Sequence, residues 1–210
     1  GIIPIKEQVF RENYQIGEKI KIYIVEVKKS MKSPQVILSR IHHGFIRKLF
    51  EMEIPEIAEG KVEIKSIARD PGYRIKIAVY SGDKNIDSVG ACVGIKGGRI
   101  QPIVRELKGE KIDVIEWSED IKAFIKNALR PATVVKIIIN DENKSARVIV
   151  QDDHLSLAIG KNGQNAKLAA KLTGWKIDVT GETEYTKESK EAPEGQEKDD
   201  GMENAPEEAV

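Results

Sequence analysis

The stretch AIGKNGQNAKLA, Ala158 to Ala169, sets two glycines three residues apart, with Lys161 and Asn162 between them, ahead of a helix-like run. With 17 Gly in 210 residues, a pair at that spacing arises about once by chance. A second pair, Gly94 and Gly97 in ACVGIKGGRIQPI, stands 66 residues upstream, and its surroundings match as well. GEKIDV (109–114) follows the first loop and GWKIDV (174–179) follows the second. Asp87 and Asp153 each precede the first glycine of their loop by seven residues. Two β-rich runs lead into each loop, VEIKSIARD and YRIKIAVYS in one copy, TVVKIIIND and SARVIVQDD in the other. The chain therefore contains a duplicated unit of roughly 65 residues.

Periodicity supplies the element order. In HHGFIRKLFEMEI (42–54), Phe45, Ile46, Leu49 and Phe50 form one apolar stripe, and Ile54-Pro55 should end the helix. Strands are expected at 61–69 and 73–81, joined by the turn DPGY. A helix over 87–93, with Asp87 as N-cap, leads into GIKG. A second helix over 98–108 carries Ile100, Ile103, Val104 and Leu107 on one face, and the strand KIDVIEW closes the unit. The second copy repeats this: helix 119–129, strands 132–140 and 145–151, helix 153–159, GKNG, a helix to Leu172 closed by Gly174, and strand 175–180. Each unit reads α-β-β-α-α-β, an α+β fold. Residues 1–40 read as short strands, GIIPI, KIKIYIVEV and PQVILS, with Ile20, Ile22 and Ile24 on the inner face and Lys21 and Tyr23 on the outer.

A glycine pair between two helices lets the chain turn tightly and lets another backbone come close. The following helix start favours a phosphate. Gly94, Ile95, Lys96, Gly97, Gly98 and Arg99 are the candidate RNA contacts of the first loop; Gly160, Lys161, Asn162, Gly163, Gln164, Asn165 and Lys167 are those of the second. A Walker loop needs GxxxxGK[ST] after a strand, and a dinucleotide fingerprint needs GxGxxG between strand and helix; neither loop fits. A plain turn would explain one GxxG, but two in the same setting favour a backbone clamp of the KH kind, which holds about four nucleotides.

The net charge of zero hides an asymmetry. Residues 181–210 hold eleven Asp or Glu and three Lys, a net of −8, which leaves +8 on residues 1–180. The basic part suits a polyanionic partner. The acidic part is poor in apolar residues and is expected to be a disordered tail. No apolar run approaches the roughly 18 residues of a membrane span. Cys92 has no second cysteine to pair with, which agrees with a reducing, cytoplasmic setting.

GxxG between helices in this element order resembles the type II KH domain. Two in tandem after a β-rich segment resemble the NusA family of bacterial transcription factors. The residues that carry the likeness include GIIPIKEQV, VILSRIHHGFIRKLFEMEIPEI, KSIARDPGYRIKIAVYS, VGACVGIKGGRIQPIVRELKGEKIDVI, NALRPA and AIGKNGQNAKLAAKLTGWKIDV, so it covers about residues 1–180. The resemblance implies a partial S1-type OB-fold segment over 1–40, a first KH domain over 41–117 and a second over 118–180, with the tail over 181–210. It implies single-stranded RNA, RNA polymerase and other transcription factors as partners, and a role in pausing, termination and antitermination. No enzymatic activity, cofactor or metal is expected, and the chain is expected to be a monomer. The sequence opens on Gly1, and the expectation is that it is the later part of a longer protein, lacking the family's N-terminal polymerase-binding domain. The alternatives are an accessory RNA-binding subunit of an RNA-processing or degradation enzyme, and a KH-fold protein–protein adaptor.

Other reactive residues read as structural. His42-His43 point in different directions on a helix and have no Cys/His cluster to join. Cys92 reads as a small buried residue, and His154, beside Asp153, has no third catalytic group. Trp117 and Trp175 read as packing residues ahead of base platforms. Lys21 and Tyr23 are further candidates for phosphate contact and stacking.

Overall fold

The structure is a computed structural model that describes residues 1–29 and 33–191. The first unit begins with α1 (His43–Glu53), which His42 caps by accepting the Gly44 N–H on Nδ1 at 3.0 Å. Phe45, Ile46, Leu49 and Phe50 are its buried stripe, and Pro55 restarts the chain as α2 (Pro55–Ala58). After β1 (Tyr23–Lys28) and β2 (Gln35–Ser39) of the N-terminal segment, β3 (Glu63–Asp70) and β4 (Arg74–Tyr80) form an antiparallel hairpin. Pro71 and Gly72, the latter at φ 82°, turn it, and the Tyr73 N–H donates to the Asp70 carbonyl at 3.0 Å, as in a type II turn. α3 (Ser88–Val93) and α4 (Ile100–Glu106) follow, and β5 (Lys111–Glu116) returns parallel to β4.

The second unit repeats the plan with α5 (Ile121–Ala128), β6 (Val134–Asn140), β7 (Ser145–Val150), α6 (Leu155–Ile159), α7 (Gln164–Thr173) and β8 (Lys176–Gly181). Its sheet has the order β6-β7-β8, antiparallel then parallel, matching β3-β4-β5. Gly174, at φ 74° and ψ 16°, closes α7 in the left-handed conformation. The fold is thus α+β with two KH-type units in the expected α-β-β-α-α-β order, the first with the one-turn α2 added after α1.

The units share packing. Ile75, Ile77 and Val79 of β4 face the first core, whereas Ala68 and Ala78 on the opposite face belong to the second core, with Phe124, Ile125 and Leu168. Small alanines let α7 lie against β3 and β4. Lys76, between them in register, is fully buried, and its ammonium is held 3.1 Å from Asp113. Trp117 packs at this seam, edge-on to Tyr80 at 5.3 Å and near Phe124 at 6.4 Å.

The N-terminal segment differs from expectation in three ways. GIIPI contributes one isolated bridge, Ile2 to Ile37, and a short 3-10 turn at Ile5–Glu7 in place of a strand. β1 (Tyr23–Lys28) starts late and pairs with β2 (Gln35–Ser39) through an irregularity between Ile24 and Glu26. The expected faces are also exchanged: Tyr23 packs on the first core and stacks on His42 at 4.7 Å, while Ile24 is 58% exposed. The register break comes after Ile24, so it sets the faces of the residues beyond it, and Tyr23 turns inward toward α1 and His42. No layer covers the other face of this two-stranded sheet among the described residues, so Val25 and Val27 are exposed with Ile24. The segment is nonetheless joined to the first unit through the buried Arg40, which binds Glu12 and Glu106.

The disorder expected from residue 181 does not begin there. Residues Glu182–Glu191 form α8, which lies against β7 and β8. Glu188 pairs with Arg147, and the Arg147 guanidinium and the Lys136 ammonium each lie 5.6 Å from the centre of the Tyr185 ring. Residues 192–210 lie outside the described residues.

Candidate nucleic-acid interface

In the first unit the Asp87 carboxylate accepts the Gly90 N–H at 2.9 Å and starts α3. α3 ends at Gly94, with φ 72° and ψ 173°, a region that essentially only glycine enters. α6 ends in the same way at Gly160, with φ 74° and ψ 171°. One 3-10 turn follows in each copy, Ile95–Gly97 and Lys161–Gly163. Its middle residue is left-handed in both, Lys96 at φ 52°, ψ 29° and Asn162 at φ 54°, ψ 27°. The N–H of the second glycine donates to the carbonyl of the first, at 3.1 Å from Gly97 to Gly94 and 3.0 Å from Gly163 to Gly160. GIKG and GKNG share only their glycines, yet they take one backbone conformation.

The residue five places after the first glycine explains why that glycine is needed. Arg99 in one copy and Asn165 in the other turn back beneath the loop. Arg99 donates to the Ala91 carbonyl at 2.8 Å, and Asn165 donates to the carbonyls of Leu157 at 3.2 Å and Ala158 at 3.1 Å. Ala91 and Leu157 occupy the same place in the two copies. A Cβ on Gly94 would stand 2.8 Å from Arg99 Cγ, and one on Gly160 would stand 2.8 Å from Asn165 Cβ. The second glycines are different, since a Cβ on Gly97 or Gly163 would meet nothing closer than 3.7 and 3.6 Å.

This geometry sorts the candidate contacts. Ile95, Lys96, Gly98, Lys161, Asn162 and Lys167 are exposed at the loops. Gly97 and Gly163 lie beside them, where a Cβ would make only ordinary contacts, at 3.7 Å with Ile100 and 3.6 Å with Lys167. Arg99 is engaged by the Glu56 carboxylate at 2.8 Å, and Arg99 in turn holds that carboxyl below the usual range. Asn165 is buried. Both act as anchors that shape the loop. Gln164 donates from Nε2 to Asp70 Oδ2 at 2.7 Å and so fastens the second loop to the turn of the first unit. That contact brings Arg11, Tyr73 and Lys171 to the second loop, residues that the sequence offered only as parts of a turn, a segment and a helix. Lys21 is exposed and lies 3.8 Å from Glu53, away from either loop's residues in sequence and pairing.

Cys92, directly under the first loop, is fully buried, and burial pushes its thiol up to about 12. In the folded protein it should therefore react with a disulfide reagent at pH 8 no faster than global unfolding allows. Rapid labelling of one thiol per chain without denaturant would contradict this. His154 accepts the Thr133 N–H on Nδ1 at 3.0 Å, a structural duty. Among the described residues no group of three or more His, Cys, Asp or Glu could hold a metal ion, and no helix is long and apolar enough to cross a membrane.

Two α-β-β-α-α-β units, each with a GxxG loop of the same conformation, define a tandem type II KH protein. Residues 40–117 match the NusA-like first KH domain, and residues 121–187 match the NusA-like second KH domain. The chain belongs to the NusA family. It is 55% identical over 184 residues to the transcription termination/antitermination protein NusA of Halalkalibacterium halodurans, covering 88% of this chain and 48% of that protein. It is 54% identical to that of Bacillus subtilis, covering 88% and 50%, and 49% identical to that of Mycobacterium bovis, covering 87% and 53%. The chain thus spans about half the length of the curated relatives it matches.

Proposed function

We propose that this chain binds single-stranded RNA through its two GxxG loops and serves RNA polymerase pausing, termination and antitermination. The observation that carries the reading is the shared loop conformation. Two sequences that differ at every position except the glycines hold the same strained turn, each with an exposed cation in it, Lys96 and Lys161. The second glycine holds a positive φ in both copies, 78° at Gly97 and 73° at Gly163, with no neighbour crowding it, so that side of the loop is clear for another backbone to approach. The names of the relatives point to transcription, and the +8 balance of residues 1–180 suits nascent RNA. Each loop would take the sugar–phosphate backbone while bases lie in the adjacent groove. The protein acts as a cytoplasmic, non-enzymatic monomer that works alongside RNA polymerase and other transcription factors by holding the RNA.

The test is binding of single-stranded RNA about 10–20 nucleotides long across a salt series, with single-stranded and duplex DNA as controls. The expected result is micromolar or tighter RNA binding whose affinity falls with salt, as phosphate contacts require. Absence of RNA binding at low salt would overturn the reading and favour a protein–protein adaptor.

A further inference from the structure

The second loop does not face open solvent on every side. A cleft of about 670 Å³ lies between it and the β3–β4 turn of the first unit, lined by Arg11, Tyr73, Lys161, Lys167 and Lys171 among others. A narrower space of about 290 Å³ adjoins it and reaches Gly109, Lys111 and Asn165. The larger volume falls within the roughly 300–1,000 Å³ of small-ligand sites.

Three features of the lining point to a nucleotide. Tyr73 is 48% exposed although the Arg11 guanidinium lies over its ring at 4.8 Å, so an aromatic surface with a cation beside it opens to the cleft. Lys161, Lys167 and Lys171 supply positive charge. The lining acid, Asp70, already accepts the Gln164 amide at 2.7 Å.

We propose that the N-terminal segment, the turn of the first unit and the second GxxG loop together form a composite subsite for one nucleotide of a bound RNA strand. The base stacks at Tyr73 and Arg11, and the phosphate sits among the lysines. Neither Tyr73 nor Arg11 belongs to a GxxG motif, so the second unit's grip on RNA depends on residues outside it. The inference rests on the RNA-binding reading above, and its test separates the two.

The probe is a single-stranded RNA of about 12 nucleotides carrying 2-aminopurine at one position at a time. The whole chain is compared with Tyr73→Ala, Tyr73→Phe, Arg11→Gln and Gly163→Asp, the fold of each checked by circular dichroism. The expected result is one probe position quenched on binding. Tyr73→Ala should remove that quenching and weaken binding roughly ten-fold, the scale of one base stacked on an aromatic ring. Tyr73→Phe should keep both, and Arg11→Gln should weaken binding without removing the quench. If Tyr73→Ala changes neither affinity nor quenching while Gly163→Asp weakens binding, the subsite is wrong and the loop reading stands. If Gly163→Asp also changes nothing, both fall together.

Discussion

Replacing Gly97 and Gly163 by Asp in one chain should weaken single-stranded RNA binding by roughly 100-fold, about ten-fold per loop, while the protein stays folded. Both halves of that expectation come from the same geometry. Each substituted carboxylate would stand where a phosphate approaches the loop, and like charges at close range remove an attractive contact and add a repulsive one. The fold tolerates the change because no atom lies within 3.6 Å of either new Cβ. The remaining cost is the positive φ, 78° at Gly97 and 73° at Gly163, which is on the order of 1 kcal/mol for a residue such as Asp. The first glycines make the control. Ala at Gly160 would press a Cβ to 2.9 Å from the Asn165 N–H nitrogen and 2.8 Å from its Cβ, in a conformation that L-residues rarely enter. That substitution should cost about 3 kcal/mol of stability. Fluorescence anisotropy for binding and urea titration for stability would check the pair. Equal RNA affinity in the Asp variant and the parent would remove the loops from the mechanism. Equal stability losses at Gly160 and Gly163 would show that crowding does not distinguish the two glycines.

That contrast also marks how far the sequence could be read. The repeat, the loops and the left-handed Gly174 were legible because glycine at a fixed offset reports a local backbone requirement, and local requirements survive in the letters. The apolar stripes of α1 and α4 were legible for the same reason. What could not be read depends on neighbours distant in sequence. Arg99 and Asn165 perform one task with unlike side chains, so no comparison of letters pairs them. Lys76 reads as an outward-facing cation of an alternating strand, yet the second unit buries it beside Asp113. Tyr23 faces inward because α1 and its His42 cap offer it a packing surface, a neighbour that the alternation of β1 alone does not reveal. ETEYTKESKE is polar enough to suggest disorder, but Tyr185 and Glu188 find Arg147 on β7, and tertiary contact makes the helix. The composite cleft combines the last two difficulties. DPGY was recognisable as a turn, whereas its position against the other unit's loop follows from the packing of α7 on β3 and β4.

The largest loss of stability should come from Arg40, outside both loops. Its side chain is fully buried, with a guanidinium that reaches Glu12 at 2.5 Å, Glu106 at 2.7 Å and the carbonyls of Lys21 at 2.7 Å and Glu106 at 2.9 Å. Phe45 of α1 lies under the same group at 4.9 Å. One residue therefore joins the N-terminal segment, α1 and the end of α4. Its own carbonyl accepts from Arg69 at 2.7 Å, and Arg69 is itself paired with the buried Glu110 at 2.6 Å, so the network continues into the β3–β4 turn. Arg40→Met would keep much of the volume and remove the charge. It would leave the Glu12 carboxylate, 3% exposed, without its cation. Breaking a buried pair from one side costs about 3–5 kcal/mol, because the remaining charge is desolvated and unpaired. Urea unfolding of Arg40→Met should therefore show a midpoint far below that of the parent. Arg40→Met with Glu12→Gln should recover part of the loss, since a neutral amide is cheaper to bury alone than a carboxylate. A loss below about 1 kcal/mol in the single variant would mean that the segment is held by its apolar contacts and that the network contributes little. Because Arg11 belongs to that same segment, the single variant should also lower affinity at the composite cleft, and the double variant should recover part of both properties together.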